Sequence, residues 1–259
     1  MSKRVACELR GKIAYLKMNR PEKRNAIDDI AVEELTRYFN DANSNEDVRA
    51  IVFEGEGSAF SAGADLDYLM RLSKNSSSAN FEDSCALKKF LIDVYSSSKL
   101  VCSMVRGPAL AGAFGLVLAC DMVFASEKAR FGFTEVKIGF VPAVVVNLAL
   151  RKLREADVRR LVLTGQIVGA DEALRIGVIS EVVEDSAIEL RVDEILSGFV
   201  AGTSRKAISL TKEILSEVKD MTLEQAMRYS AMMNVAARST EDFQKGVNSF
   251  LNKTQVEWD

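Results

Sequence analysis

Apolar runs separated by glycine-containing turns predict short buried strands in the first two thirds of the chain. Alternating apolar and polar residues over Val5–Leu9 and Ile13–Met18 predict a hairpin around Gly11. Two continuous apolar runs, Ala50–Phe53 and Leu100–Val105, are typical of strands buried on both faces. Each run is followed by a turn and a segment with helical spacing, so this part of the chain indicates an α/β fold.

Helical spacing of apolar positions dominates beyond Pro142. Amphipathic helices of this length need a partner to bury their apolar faces. We therefore expect an α/β core over residues 1–200. Over residues 201–259 we expect a helical module that either packs on another subunit, as an oligomerisation module, or folds back on the core. The predicted late elements are helices at Val144–Leu153, Asp157–Leu163, Asp171–Ile176, Ile188–Val200, Arg205–Val218, Leu223–Ala237 and Thr240–Leu251, and one strand at Val178–Val183.

Polar residues predict where other elements begin and end. Asp28 and Asp29 suit the positive end of a helix and are expected to begin one. The stretch Ser73–Ser84 is rich in serine and asparagine and predicts a mobile loop. The remaining predicted elements are a helix at about Phe81–Tyr95 and short strands at Asp121–Ala125 and Arg130–Phe133.

Two turns built largely from glycine and alanine carry the most chemical information. Phe60–Asp65 and Gly107–Ala113 each link a predicted strand to the start of a helix. Backbone N–H groups at such a junction lack helical partners, and small side chains leave them accessible. Two N–H groups aimed at one point form an oxyanion hole. For either turn alone, close packing of the helix on the strand is the alternative interpretation.

The absence of histidine restricts the chemistry that such a site can perform. It removes the commonest general base, the Ser/His and Cys/His pairs, and most zinc sites. Glu135 lies in the apolar stretch Phe131–Pro142, where the surroundings are expected to raise its pKa and make it a usable acid or base. The alternative is a surface carboxylate paired with Lys137 or Arg130.

Composition limits the partners and the location. The chain has 48% hydrophobic and 27% charged residues and a net charge of −3, with no basic block. We therefore expect neither nucleic acid nor a membrane as a partner. The four cysteines lack metal-ligand spacing, so no metal site is predicted, and Cys102 and Cys120 suit a reducing compartment. With no secretory pattern before Val5, we expect a cytoplasmic protein.

Together, these motifs resemble the enoyl-CoA hydratase/isomerase (crotonase) family. The resemblance runs from Asn19–Ala26 to Glu241–Leu251, and the order of Ala62–Leu66 and Cys120-Asp121 makes it specific. It implies a spiral of ββα turns with a C-terminal helical trimerisation module, assembled as a homotrimer or as a hexamer made of two trimers. It also implies an acyl-CoA substrate and no separate cofactor, since coenzyme A is part of the substrate.

The resemblance also implies roles for individual residues. The backbone N–H groups of Ala64 and Gly112 would bind a thioester carbonyl oxygen, and Glu135 would be the catalytic acid/base. Taken from the residues alone, Lys23-Arg24 is equally a solvated turn, and Asp65 is equally a helix cap. The residues implied to contact coenzyme A are Lys23, Arg24 and Ala26 on the phosphate and pantetheine side, and Ala62, Asp65 and Leu66 in the adenine-binding loop.

Gly115 departs from the pattern of family hydratases, which have two glutamates. Glu135 matches the second, and no acidic residue replaces the first before Asp121, which resembles the family's structural aspartate. Losing a positioned acid or base costs about 10²–10⁴ in rate. We therefore expect isomerisation of a 3-enoyl-CoA to a 2-enoyl-CoA, ahead of hydration of a 2-enoyl-CoA. Decarboxylation, thioester hydrolysis and a non-catalytic CoA-binding scaffold are weaker alternatives.

Overall fold

The predicted hairpin is present at the start of the computed structural model, which describes residues 3–258. Strand β1 (Val5–Arg10) pairs antiparallel with strand β2 (Ile13–Met18). Gly11 lies in the turn at φ +57°, a conformation that glycine adopts without strain. The pairing leaves β1 at the edge of the larger sheet and places the largely buried β2 next to it.

Two sheets follow from the remaining strands. These are β3 (Ala50–Gly55), β4 (Leu100–Val105), β5 (Pro108–Leu110), β6 (Met122–Ser126), β7 (Arg130–Gly132), β8 (Val168–Gly169) and β9 (Glu181–Val183). The larger sheet has the order β1-β2-β3-β4-β6-β9 and is parallel from β2 onward. The smaller has the order β5-β7-β8, with β5 and β7 parallel. Strands β5 and β8 were not predicted, because two or three residues are too short to show an alternating pattern.

Every predicted helix is present, with ends shifted by a few residues. Helix α1 begins after Asp28, whose side chain accepts a 2.9 Å hydrogen bond from the N–H of Ala31 and caps the helix as expected. In chain order the helices are α1 (Asp29–Ser44), α2 (Leu66–Leu72), α3 (Ser77–Tyr95), α4 (Gly112–Ala119), α5 (Val146–Lys152), α6 (Glu155–Thr164), α7 (Ala170–Arg175), α8 (Ile188–Gly202), α9 (Arg205–Glu217), α10 (Leu223–Arg238) and α11 (Glu241–Asn252).

The prediction of a mobile loop over Ser73–Ser84 is wrong for most of that stretch. Helix α3 already begins at Ser77, because the side chain of Ser76 accepts a hydrogen bond of 3.2 Å from the N–H of Ala79. Serine and asparagine disfavour the interior of a helix but favour its first turn. The polar composition therefore marked the start of a helix.

Helix α4 lies in the core because it is apolar on every side. Residues 113–119 are all buried, and the helix contacts α3 and α5. The ring of Phe114 in its first turn lies 4.6 Å from the ring of Phe133 and 5.6 Å from the ring of Phe131, centroid to centroid. These contacts fix the start of α4 beside β7 and the residues that follow it.

The last helices contact the core mainly through α8 and α9. Helix α8 buries Ile188, Val192 and Leu196, which belong to a cluster of apolar residues from β2, β3 and β4. In α9, the buried amine of Lys212 donates to the carbonyl of Lys99 and to the carboxylate of Asp121. Helices α10 and α11 bury no residue. The division of the chain near residue 200 stays a prediction, and α8 continues to Gly202.

No helix within residues 3–258 is long and apolar enough to cross a membrane. The same residues contain no group of three or more histidine, cysteine, aspartate or glutamate side chains that could hold a metal ion. The cytoplasmic location expected from the sequence stays a prediction.

Candidate active site

The two glycine- and alanine-rich turns pack directly against each other. The N–H of Ser61 donates to the carbonyl of Pro108 at 3.0 Å, and the N–H of Leu110 donates to the carbonyl of Ser61 at 3.1 Å. Gly63 has φ +90°, and a Cβ there would lie 2.8 Å from the Cβ of Ala111 and 2.9 Å from the Leu110 oxygen. Only glycine fits this contact, which brings the two turns together.

The N–H of Gly112 points away from helix α4 because of the peptide before it. Ala111 has φ +52° and ψ −126°, and its carbonyl accepts from the N–H groups of Phe114 and Gly115 at 3.0 and 3.2 Å. In a trans peptide the N–H points opposite to the carbonyl, so that of Gly112 points out of the helix start. It has no acceptor among residues 3–258, and a Cβ on Gly112 would meet no atom within 4 Å.

The N–H of Ala64 is likewise uncommitted. Ile27 donates to the carbonyl of Gly63 and accepts from the N–H of Asp65, both at 2.8 Å. These bonds use the residues on either side of Ala64 and leave its own N–H without an acceptor in the described part of the chain. Because Gly63 touches Ala111, both free N–H groups flank the contact between the turns. Their role as an oxyanion hole stays a prediction.

Glu135 reaches the same edge of the smaller sheet. Strands β5 and β7 are parallel, with Leu110 opposite Gly132, so the segments leading to Gly112 and to Glu135 leave the sheet at one end. Glu135 begins a short 3-10 helix, Glu135–Ile138, and is only 7% exposed. Its Oε2 is buried without a hydrogen-bond partner among residues 3–258, and burial raises the pKa of this carboxyl.

The alternative interpretation of Glu135 as a paired surface carboxylate is therefore wrong. It forms no ion pair with any described residue, and Arg130 instead donates to the carbonyls of Glu127 and Ala129. An uncharged, buried surrounding is what a carboxyl needs to serve as a proton acceptor near neutral pH. Its catalytic role remains a prediction, now with a geometry that suits it.

The structure brings the two groups of CoA-binding candidates together. The N–H of Ala62 donates to the carbonyl of Arg24 at 2.9 Å, so the adenine loop and the basic turn are hydrogen-bonded neighbours. Lys23 is exposed, and its amine lies 2.6 Å from the carboxylate of Asp67. Arg24 is also exposed and forms no ion pair with a described residue. Ala26 lies two residues further along, and its carbonyl accepts from Arg20 at 3.3 Å.

Asp65 has the structural role that the sequence left open. Its carboxylate accepts from the N–H groups of Asp67 and Tyr68 at 2.9 and 3.3 Å and so caps α2. It also lies 2.9 Å from the guanidinium of Arg20. Leu66, the next residue, is 63% exposed. Contact of either residue with coenzyme A stays a prediction.

Asn25 was not singled out from the sequence. It is 2% exposed at φ +54°, and its amide donates to the carbonyls of Glu56 and Ala59 at 2.9 and 2.8 Å. Its side-chain oxygen accepts from the N–H of Arg20 at 2.8 Å. The two bonds to Glu56 and Ala59 fix the basic turn to the loop after β3, and the bond from Arg20 closes the turn itself. The signal was available, because asparagine tolerates positive φ and often occupies turns.

The contact between Val145 and Gly115 was not predicted, and it changes the meaning of Gly115. A Cβ at residue 115 would lie 2.6 Å from the Cβ of Val145 and closer still to its Cγ1. Val145 is 2% exposed and immediately precedes α5. The space beside Gly115, the position that the family resemblance matches to the first glutamate of hydratases, is therefore filled by an apolar side chain.

Comparison with known proteins decides the family. The protein-family model described as enoyl-CoA hydratase/isomerase matches residues 8–259 of this chain. The chain belongs to the enoyl-CoA hydratase/isomerase family. It is 37% identical over 244 residues to a candidate enoyl-CoA hydratase of Thermus thermophilus, over 94% of this chain and 96% of that protein. It is 28% identical over 257 residues to the mitochondrial Delta(3,5)-Delta(2,4)-dienoyl-CoA isomerase of Pongo abelii, over 94% and 77%.

Solved structures agree with this family assignment. The structure of a candidate enoyl-CoA hydratase/isomerase (crotonase) from Legionella pneumophila matches with a TM-score of 0.89 at 30% identity, over 98% of each chain. The predictions of family, of the crotonase-type α/β fold and of an enzyme are confirmed. An acyl-CoA substrate is what the family implies, and both hydratases and isomerases occur among the relatives.

Proposed function

We propose that this enoyl-CoA hydratase/isomerase family member moves the double bond of a 3-enoyl-CoA into conjugation with the thioester, giving a 2-enoyl-CoA. The observation that carries the proposal is the carboxyl of Glu135, buried and with an uncommitted Oε2. No second carboxylate accompanies it from the position of Gly115, whose surroundings are apolar. One carboxylate is sufficient to remove a proton from one carbon and return it to another.

The proposed steps use the backbone to hold charge and Glu135 to move the proton. The thioester oxygen accepts from the N–H groups of Ala64 and Gly112. Glu135 removes a proton from C2, and the electron pair of that C–H bond delocalises onto the thioester oxygen as a dienolate. The Glu135 carboxyl exchanges its proton with solvent and then delivers a proton to C4, so the double bond shifts from C3–C4 to C2–C3. Each oxyanion donor lowers the barrier by about 3 kcal/mol.

Hydration of a 2-enoyl-CoA is the second candidate. It is favoured by the names of several relatives, including the Thermus thermophilus protein that is 37% identical to this chain. Hydration requires a water molecule held and activated beside the substrate. Glu135 alone would have to hold and activate that water, because Gly115 has no side chain to share the task.

The CoA moiety is proposed to lie along the turn formed by Lys23, Arg24 and Ala26 and the loop containing Ala62, Asp65 and Leu66. The exposed cations of Lys23 and Arg24 suit the phosphates of coenzyme A. The hydrogen bond between Ala62 and Arg24 supports a continuous binding surface. No separate cofactor takes part in the proposed reaction.

A homotrimer, alone or paired into a hexamer, is the proposed assembly. Its support is the large apolar side chains that α10 and α11 leave exposed, among them Leu223 at 80%, Met227 at 65% and Phe250 at 85%. Exposed apolar surface of this kind marks contacts between proteins. Sedimentation velocity of the purified protein measures the number of copies.

The experiment that tests the reaction is turnover of a medium-chain 3-enoyl-CoA in D₂O, followed by mass spectrometry. We expect a conjugated product that carries deuterium and no added water. Glu135→Gln should lower the rate about 10²–10⁴-fold while acyl-CoA binding persists. Glu33→Gln, the same change at an exposed residue of α1, is the matched control and should keep the wild-type rate.

Other products would identify the alternatives directly. A water adduct as the main product would make the protein a hydratase. Release of free coenzyme A would indicate a thioester hydrolase, and loss of carbon dioxide from a carboxylated acyl-CoA would indicate a decarboxylase. Binding without any turnover that depends on Glu135 would indicate a CoA-binding scaffold.

A further inference from the structure

The contact between Gly115 and Val145 lies one helical turn from the proposed oxyanion donor. Gly112 and Gly115 are three residues apart in α4 and therefore share a face of that helix. A Cβ on Gly112 would meet open space, whereas a Cβ on Gly115 would collide with Val145. Within one turn of α4, the same face is therefore open at Gly112 and packed against an apolar side chain at Gly115.

We propose that Val145 is a specificity-determining residue, which sets the ratio of double-bond migration to water addition by closing this end of the site. The proposal rests on the proposed function of the same site. Val145 would act in two ways. It occupies the volume that a polar side chain at residue 115 would need, and it offers no hydrogen bond to water.

Val145 is not free to move aside. Its side chain is branched at Cβ, which restricts its χ1 rotamers. The backbone around it is fixed, since the N–H of Val146 donates to the carbonyl of Pro142 at 2.9 Å and the N–H of Ala149 donates to the carbonyl of Val145 at 3.3 Å. A larger residue at position 115 would therefore force a shift of buried structure.

The contact is also unable to hold water. A buried water needs two to four polar partners. The methyl groups of Val145 supply none, and the N–H of Gly115 already donates to the carbonyl of Ala111 at 3.2 Å. Glu135 is therefore the only ionisable side chain that the proposed reaction uses. Residue 115 of α4 offers no side chain that could hydrogen-bond to a water molecule beside it.

The test compares wild type with Gly115→Glu, Val145→Ala and the double variant Gly115→Glu/Val145→Ala. Each is given a 3-enoyl-CoA and, separately, a 2-enoyl-CoA, and the ratio of water adduct to migrated double bond is measured by mass spectrometry. We expect Gly115→Glu alone to lower Tm by about 4 °C or more, through overpacking. The double variant should recover most of that Tm and raise the ratio at least tenfold over Gly115→Glu.

A fourth variant, Val145→Thr, keeps the shape and replaces one methyl group with a hydroxyl group. It should raise the fraction of water adduct severalfold and lower Tm by about 2–12 °C, because the buried hydroxyl lacks a polar partner. The proposal is overturned if Gly115→Glu alone is as stable as wild type and gains hydration, or if neither the double variant nor Val145→Thr changes the ratio. Efficient hydration by wild type would instead overturn the proposed function, because the role of Val145 is measured as a change in ratio whichever reaction dominates.

Discussion

Replacement of Gly63 by alanine tests whether the two turns really depend on each other. The added Cβ would lie 2.8 Å from the Cβ of Ala111, whereas carbon atoms in contact prefer about 3.5–4.0 Å. The turns must then separate by about 1 Å. Displacement of that size in a catalytic group lowers rate by about 10²-fold. We therefore expect Gly63→Ala to lose about two orders of magnitude in kcat/KM.

The stability cost of Gly63→Ala has two parts. Alanine at φ +90° costs about 1–2 kcal/mol in backbone strain, and the overpacking adds about 1–3 kcal/mol. For a chain of this length, each kcal/mol lowers Tm by about 2–4 °C. The expected loss in Tm is therefore about 4–20 °C, measured by thermal unfolding with and without acyl-CoA.

Gly11→Ala is the matched control for the backbone term. Gly11 also has positive φ, at +57°, but a Cβ there would meet no atom within 4 Å. Its variant should lose only the strain part, about 1–2 kcal/mol, and keep the wild-type rate. Equal Tm losses in the two variants together with full activity of Gly63→Ala would refute the inference that the turns pack against each other.

Four further predictions concern protons and buried polar contacts. Burial raises the pKa of Glu135, which must be deprotonated to accept a proton. We therefore expect kcat/KM to fall as the pH is lowered, with an apparent pKa above the ordinary glutamate value of about 4.3. The same pH dependence in Glu135→Gln would contradict this. A carboxyl whose pKa is raised by folding stabilises below its unfolded pKa and loses that stabilisation as pH rises, so Glu135→Gln should raise Tm at pH 8 by more than at pH 4. Asn25→Asp turns two donors into acceptors facing the carbonyls of Glu56 and Ala59, and urea unfolding should show a loss of about 3 kcal/mol. Lys212→Met removes the ion pair between α9 and Asp121, whose carboxylate keeps, within residues 3–258, only its hydrogen bond from the N–H of Val101. It should cost about 2 kcal/mol and speed proteolysis within residues 201–258.

Much of the fold was predictable because periodicity is local. The pattern of the apolar runs predicted β3, β4 and nearly every helix. The strand–turn–helix junctions predicted two turns with accessible N–H groups, and the family resemblance implied which ones, those of Ala64 and Gly112. The failures have equally physical causes. Serine near the start of α3 favours caps as well as loops, so composition did not distinguish them.

The candidate site was less predictable, because its decisive contacts join distant parts of the chain. Nothing in the sequence near Gly115 indicates Val145, which lies 30 residues away and meets it only when α5 packs on α4. The same holds for Gly63 against Ala111. A glycine in a sequence can indicate that a Cβ would clash at that position. Only the structure shows which atoms it would clash with.

The backbone conformation of Ala111 affects how rigidly the N–H of Gly112 is oriented. An alanine at φ +52° is held about 1–2 kcal/mol above a relaxed backbone, and glycine would remove that cost. Glycine would also give the peptide between residues 111 and 112 freedom to rotate. Alanine narrows the φ and ψ range of residue 111, and the N–H groups of Phe114 and Gly115 hold its carbonyl, so that peptide is oriented before any ligand arrives. The direction of the Gly112 N–H is thus settled when the protein folds, and a substrate has no ordering of that peptide left to perform.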